Sequence, residues 1–377
     1  MAQEQRSSGI RILSVVWFKI LPAHYGGQKG TALFNAHLAV EADDLLCICS
    51  RSNIPESSFK VQNILPISKW QFLNPFCWYK IYKAAKDFSA THVILEYPYY
   101  GIAGYLLKKL SGLTLIVHNH NIEYIRFKQL QKWWWGLLYH FERWTHRQAD
   151  LSIFKTTQEQ TLAIKMFNLD EENCMTIPYG VKNLLVVDRL KNKEIIAARH
   201  DISPDEKIIL FAGTIDYEPN ARAVNWIITK LLPYLTDHVS IPYKILICGR
   251  NQLQKYQYLK ELRHPNLLYA GEVPDIETYF VAADVFINPV QETTGIQTKI
   301  IDALSCHCTV VTTQSAATGI PLELCGEKLL LVQSLNESTF TEKIIEALKV
   351  NSETPAAFLN YFNWEKSVKR LMNYLRK

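Results

Sequence analysis

Short apolar runs rich in Val, Ile and Leu recur along this chain. Each leads into a turn marked by glycine, proline or asparagine, and then into a segment with apolar residues at helical spacing. Strands buried on both faces with helices crossing between them produce this alternation, so the pattern predicts an α/β protein built on parallel sheets. In the first half, strands are expected over 11–17, 45–49, 91–95, 113–118, 151–154 and 175–181. Helices are expected over 31–40, 78–88, 101–110, 127–149 and 157–166. A charged, weakly periodic stretch at 182–205 reads as an interdomain linker. The alternation then restarts, with strands over 207–213, 244–249, 266–269, 285–289, 309–313 and 328–332. Helices over 219–232, 275–282, 338–349 and 364–376, and one opening just before Lys299, complete the second half.

A length of 377 residues exceeds one ordinary core, so two doubly wound domains with a cleft between them are expected. Apolar residues at 48% and charged residues at 20% describe a soluble globular chain. The net charge of +5 is mild; it fits an anionic substrate or membrane surface better than nucleic acid, which calls for a concentrated basic face. Eight cysteines are scattered, and neither Cys47/Cys49 nor Cys306/Cys308 is a C-x-x-C pair, so reduced thiols in a cytosolic core are expected. Residues 1–9 are polar without an apolar leader, and no run has the length of a spanning helix. The expectation is a cytoplasmic protein with at most peripheral contact on the inner membrane face.

Four stretches carry candidate chemistry. The first, 285–305, joins a buried strand through a polar loop to a helix start, which presents backbone N–H groups to an anion; Lys299 lies just inside and Asp302 one turn on. The second is Gly26-Gly-Gln-Lys-Gly30, a glycine loop that either meets a ligand or is merely tight, since it does not fit G-x-G-x-x-G. The third is His118-Asn-His-Asn-Ile-Glu123, hydrogen-bonding groups gathered at the carboxyl end of a strand, where open α/β sheets bind ligands. The fourth, 127–149, is helical, basic and aromatic, with Trp133, Trp134 and Trp135 in a row. It suits either an anionic bilayer surface or the interior of a two-layer domain.

Taken with Ile177-Pro-Tyr-Gly-Val181, Phe211-Ala-Gly213, Cys248-Gly-Arg250, Gly271-Glu-Val, Ala283-Asp-Val-Phe-Ile-Asn-Pro289 and Gly295-Ile-Gln-Thr-Lys299, these stretches resemble a glycosyltransferase of the GT-B fold, family 4. The match covers nearly the whole chain. Gly213-Thr-Ile-Asp-Tyr-Glu-Pro-Asn220, combined with Gly295-Ile-Gln-Thr-Lys299, resembles the branch that works on exported polysaccharides and other glycoconjugates. The resemblance implies two Rossmann-like domains facing each other across a cleft: an acceptor domain at 1–181 and a nucleotide-sugar domain at 206–355, joined by the linker 182–205. Residues 356–377 would return to the first domain as a helix. It also implies a retaining transfer that needs no bound metal and no cofactor beyond the nucleotide-sugar co-substrate. Lys299 and the amides around Thr294, Gly295 and Ile296 would hold the diphosphate, with Gly26 and Gly27 on its other side and Arg250 as a second cation, and Gly213 would line the donor site. Asp302 matches the later acid of the family's Glu-x7-Glu pattern and would take the ribose hydroxyls. His120 matches the active-site histidine, with His118 as the alternative and Asn121 and Glu123 beside the acceptor.

Counting back eight residues from Asp302 gives Thr294 where the family has glutamate, and Glu292 is two residues early. No Arg and Lys pair stands in 214–220, and Cys306-His-Cys308 stands where a glycine commonly precedes the next strand. Two other readings compete: a nucleotide-sugar epimerase or phosphorylase on this scaffold, and a binding protein that kept the fold and lost the chemistry. No convincing set of epimerase acids and bases is visible, and a phosphorylase would need a longer chain with a pyridoxal-phosphate lysine. The expected partners are a nucleotide-sugar, a glycan or lipid-linked acceptor and an anionic membrane surface; nucleic acid is not among them.

Overall fold

The computed structural model describes residues 9–23, 26–54, 58–68, 70–181, 188–291 and 295–377. The chain divides into two compact units: one runs to Gly180 and includes Asn363–Lys377, and the other is Val181–Phe362.

The first unit is a seven-stranded parallel sheet, β1 (Arg11–Val16), β2 (Asp44–Ser50), β3 (Lys60–Leu65), β4 (His92–Glu96), β5 (Thr114–His118), β6 (Leu151–Phe154) and β7 (Cys174–Thr176), in the order β3-β2-β1-β4-β5-β6-β7. Its helices are α1 (Gly26–Glu41), α2 (Pro75–Asp87), α3 (Gly101–Ser111), α4 (Glu123–Gln129), α5 (Trp135–Gln148) and α6 (Thr157–Phe167). Central strands such as β5 and β6 are buried almost throughout because helices cover both sheet faces. The edge strand β3, Lys-Val-Gln-Asn-Ile-Leu, is half polar, which hides it from a search for apolar runs. The terminal helix (Trp364–Leu375) belongs to this unit, burying Trp364, Val368, Leu371 and Met372. Tyr374 and Arg376 pin its end by donating to the Glu172 (3.0 Å) and Glu41 (2.8 Å) carbonyls.

The second unit repeats the design with six parallel strands: β8 (Lys207–Ala212), β9 (Tyr243–Cys248), β10 (Leu267–Gly271), β11 (Val285–Asn288), β12 (Thr309–Thr313) and β13 (Leu329–Val332), ordered β10-β9-β8-β11-β12-β13. Around it lie α7 (Arg189–His200), α8 (Glu218–Trp226), α9 (Leu232–His238), α10 (Ile276–Ala282), α11 (Thr298–Ser305), α12 (Glu337–Ala347) and α13 (Ala356–Tyr361). In each sheet the chain starts centrally, winds to one edge and then to the other. This leaves a crevice at the strands' carboxyl ends between β1 and β4, and between β8 and β11, where such sheets bind ligands.

Three sequence expectations change. The glycines at 26–30 are the first turns of α1, not a loop before it; Gly30 lets Tyr179 lie against the helix, since a Cβ there would be 3.0 Å from the ring. The stretch 127–149 is no single helix: α4 and α5 are separated by a turn in which Gln131 takes a left-handed φ of +52°. The charged stretch read as a linker carries α7, docked on α10 with Ile196 buried and Arg189 and Lys193 both paired to Asp284 (3.0 and 2.9 Å). Its charges had masked a narrow apolar face. Lys182–Val187 lie outside the described residues.

Candidate active site

At the carboxyl end of the first sheet, parallel pairing sets Glu96, the last residue of β4, beside His118, the last residue of β5. Their side chains meet: His118 Nδ1 lies 3.1 Å from the Glu96 carboxylate, and both are fully buried. His120, two residues on, turns back so that its Nε2 lies 2.6 Å from Glu96 Oε2. Behind His118, Lys155 places its Nζ 2.7 Å from Nε2. The lysine can only donate, so His118 Nε2 accepts and Nδ1 carries the proton given to Glu96. The result is a chain, Lys155 to His118 to Glu96 to His120, with a defined proton on each link.

Burial lowers His118 to about 3 and also lowers His120, against the pull of Glu96 on each. Both rings are therefore neutral at pH 7. Burial pushes Glu96 up, yet the two imidazoles facing it outweigh burial and keep it ionised well below the usual carboxylate range. Lys155, desolvated but attracted by Glu96 and Glu159, comes down to about 8. A buried carboxylate with two N–H donors and a lysine one link away is a satisfied network. Glu96, His118 and His120 also bring ligand atoms within 4.8 Å of one another, the spacing of a metal site. The carboxylate oxygens are already taken by imidazole protons, and the nearby ammonium opposes a second cation. Tyr97 stacks on the His120 ring (4.6 Å between centroids, 18° between planes) from a backbone with φ of +71°, an unusual conformation for a tyrosine.

Among the other residues singled out in the sequence, Glu123 is buried, accepts from Tyr99 and pairs with Arg126 at 3.2 Å; Asn121 is half-buried and bonds the same carboxylate. Glu123 therefore holds α4 in place, as does Glu142, whose carboxylate takes the backbone N–H groups of Glu123 and Tyr124 at 2.9 Å each. Burial raises Glu142 to about 8. His118 is fully buried, held between Glu96 and Lys155 as part of the network. In the tryptophan row, Trp134 packs on Phe127 (4.5 Å) and Trp135 on the same apolar cluster, while Trp133 is 85% exposed.

In the second unit the turns after β8 and β9 are zipped together. A Cβ on Gly249 would lie 1.9 Å from the Gly213 carbonyl oxygen, so Gly249 permits the approach. Asp216 accepts the N–H groups of Gln252 (2.7 Å) and Leu253 (2.8 Å) and the Nε of Arg250 (3.1 Å). Arg250 is thus already neutralised by a carboxylate. Across the switch point, Lys299 in the first turn of α11 donates to Asn220 Oδ1 (3.0 Å) and lies 4.6 Å over the Phe211 ring. Asn220 in turn donates to the Thr214 carbonyl (2.9 Å), which fixes the acceptor end of its amide. Desolvation lowers Lys299 to about 7. Gly295, with a left-handed φ of +80°, and Ile296 lead into α11, and Asp302 lies one turn beyond Lys299. Glu292 and Thr294 lie outside the described residues.

Sequence reasoning passed over Glu96, Lys155, Asn220 and Asp216. A carboxylate ending an apolar strand, as in Val93-Ile-Leu-Glu96, was the available signal for the first. Asn220 and Asp216 stood inside the 213–220 motif without a role.

Two doubly wound parallel units in one chain, each with polar groups at its switch point, make up the GT-B fold. Residues 42–182 match the family model described as Glycosyltransferase Family 4, and residues 206–350 match Glycosyl transferases group 1, so the two matches span most of the chain. The chain belongs to these glycosyltransferases. Among solved structures, sucrose-phosphate synthase from Thermosynechococcus elongatus is similar at TM-score 0.75 and 14% identity, over 97% of this chain and 98% of that one. Anabaena HepE in complex with UDP and glucose gives 0.70 and 14% over 97% and 99%. A glycosyltransferase from Rickettsia africae gives 0.72 and 17% over 97% and 98%. No curated protein matches in sequence.

Proposed function

We propose that this glycosyltransferase moves a sugar from a uridine-type nucleotide-sugar to a hydroxyl of a glycan, lipid-linked or other glycoconjugate acceptor, with retention at the anomeric carbon and without a bound metal. The observation that carries the reading is the pairing of two sites in one chain: His120 held by Glu96 in the first unit, and Lys299 held by Asn220 beside a helix N-terminus in the second. UDP in the HepE structure supports the choice of nucleotide class; retention rests on the family resemblance.

The chemistry follows from charge. As the glycosidic bond to the diphosphate breaks, negative charge grows on the phosphate oxygens. Lys299 and the first-turn amides of α11 meet that charge with a cation and aligned N–H dipoles. Asp302 takes the ribose hydroxyls, and Gly213 allows close approach beside Asn220. Arg250, committed to Asp216, shapes the turn more than it binds phosphate. His120 donates its Nε2–H to Glu96, which leaves Nδ1 to meet the reacting sugar. The protein works on the cytoplasmic side, in peripheral contact with the membrane; among the described residues no helix is long and apolar enough to cross it.

The test is a thermal-shift panel of nucleotides and nucleotide-sugars followed by turnover with the best donor. Selective stabilisation by UDP-sugars is expected, worth about 2.7 kcal/mol at a hundredfold excess over Kd. Equal, negligible shifts across the panel would remove the donor assignment.

A further inference from the structure

Around the start of α2 the first unit displays large apolar side chains to solvent: Trp70 is 76%, Leu73 64%, Phe76 77% and Tyr79 63% exposed. Phe76 and Tyr79 share one face of α2, and Trp70 and Leu73 stand on the tight turn just before it, so a stripe of exposed apolar side chains surrounds the helix start. The opposite face of α2, with Cys77, Ile81, Ala84 and Ala85, is core. The stripe is no loose loop. Trp78 Nε1 donates to the Phe72 carbonyl (2.8 Å), and the Tyr100 hydroxyl donates to Gln71 Oε1 (2.9 Å), locking the turn that carries it.

The turn also has an inward side that leads to the site. Phe72 packs on Tyr99 (4.9 Å), Tyr99 stacks with Tyr97 (5.9 Å), and Tyr97 lies on His120 (4.6 Å). An aromatic wall therefore runs from the exposed stripe to the reacting histidine. Further along α2 come Lys80, Lys83 and Lys86, the last two exposed, against the single acid Asp87.

We propose that this stripe seats the protein on an anionic bilayer, so that a lipid-anchored acceptor reaches His120 along the aromatic wall. The proposal rests on the glycosyltransferase reading above and narrows its acceptor to an amphiphile. Rigidly displayed aromatic side chains followed by lysines are the composition of an interfacial surface. A second copy of the chain is a poorer occupant, because pairing two stripes would carry the exposed lysines beside them into the contact, and lysine is depleted in protein–protein interfaces.

The experiment is flotation of the full-length protein with vesicles of phosphatidylcholine and phosphatidylglycerol at 70:30, against pure phosphatidylcholine. Wild type is expected to float with the anionic vesicles only. The Trp70→Ser/Leu73→Ser/Phe76→Ser variant, and separately Lys83→Glu/Lys86→Glu, should each lose about tenfold or more in partitioning. A UDP thermal shift on every protein reports folding and the donor site independently, so failure of the donor reading stays separate from failure of this one. The proposal is overturned if wild type does not float, or if the triple variant floats as wild type. It is also overturned if Trp133→Ser alone abolishes flotation, which would move the surface to the α4–α5 turn, or if sedimentation shows a dimer that the triple variant dissolves.

Discussion

Glu96→Gln keeps the volume of the side chain and removes one acceptor, and the surrounding hydrogen bonds dictate the consequence. Glu96 accepts two hydrogen bonds, from His118 Nδ1–H (3.1 Å) and His120 Nε2–H (2.6 Å). An amide offers one oxygen and one NH2, so one imidazole must surrender its proton. His118 cannot, because Lys155 occupies its Nε2 at 2.7 Å and fixes its tautomer. The amide oxygen therefore turns to His118, the NH2 faces His120, and the His120 proton moves to Nδ1. The nitrogen that meets substrate changes from acceptor to donor. A wrong tautomer at a catalytic imidazole costs about 10²–10⁴-fold in rate, roughly 3–5 kcal/mol. kcat should fall by that factor, with UDP affinity unchanged by calorimetry and the tautomer change visible in imidazole ¹⁵N shifts. Adding Lys155→Met frees His118 to turn its bare nitrogen to the amide, returning the oxygen to His120. The double variant should thus recover about tenfold or more over Glu96→Gln, a non-additivity peculiar to this chain of protons. A Glu96→Gln enzyme within about threefold of wild type, or a double variant slower than the single, would refute the reasoning.

Three further outcomes are expected. Lys299 titrates near pH 7 when empty, and a bound diphosphate must pull it up, so UDP affinity should weaken above pH 7 by up to about tenfold per pH unit; Lys299→Met should cost about 1.5–3 kcal/mol at pH 6.5 and flatten the profile, and a steep profile in that variant would acquit Lys299. Gly249→Ala forces a methyl to 1.9 Å from the Gly213 carbonyl, so the turns after β8 and β9 must part; a stability loss of about 2–4 kcal/mol by denaturant titration is expected, and an unchanged midpoint would contradict the contact. His118 and His146 are each lowered to about 3 by burial, and Glu96 is lowered as well, so their folded pKa values lie below their unfolded ones. Their contributions are present above the unfolded values and lost on acidification, so between pH 4.5 and about 3 these three groups should together add two to three protons to those taken up on unfolding, about 1.4 kcal/mol per pH unit for each; His118→Gln should remove one, and an identical slope would show that His118 is charged in the fold.

Much of this was legible in the chain. Apolar runs gave the strands because both sheet faces are covered, and the positions of Lys299 and Asp302 in α11 and of His120 just past β5 were legible in the same pattern. Relationships between strands were not legible. Glu96 meets His118 only because β4 and β5 pair in register, and Lys155 reaches them from the end of a third strand, so their spacing in sequence carries no sign of the contact. The glycines at 26–30 misled for a local reason: they read as a turn, whereas Gly30 serves the packing of Tyr179 from far along the chain. In the tryptophan row, composition could not separate Trp133 from its two packed neighbours, because exposure there depends on a turn that interrupts the helix.

The central claim is a division of labour: the second unit binds the nucleotide and His120 of the first performs the transfer. It is tested most directly by measuring UDP affinity and UDP-sugar turnover side by side for His120→Ala and Lys299→Met. The account predicts that His120→Ala binds UDP as wild type does yet turns over no donor, while Lys299→Met loses affinity for UDP. A His120→Ala protein that still transfers sugar at the wild-type rate, or a Lys299→Met protein that binds UDP unchanged, would contradict it.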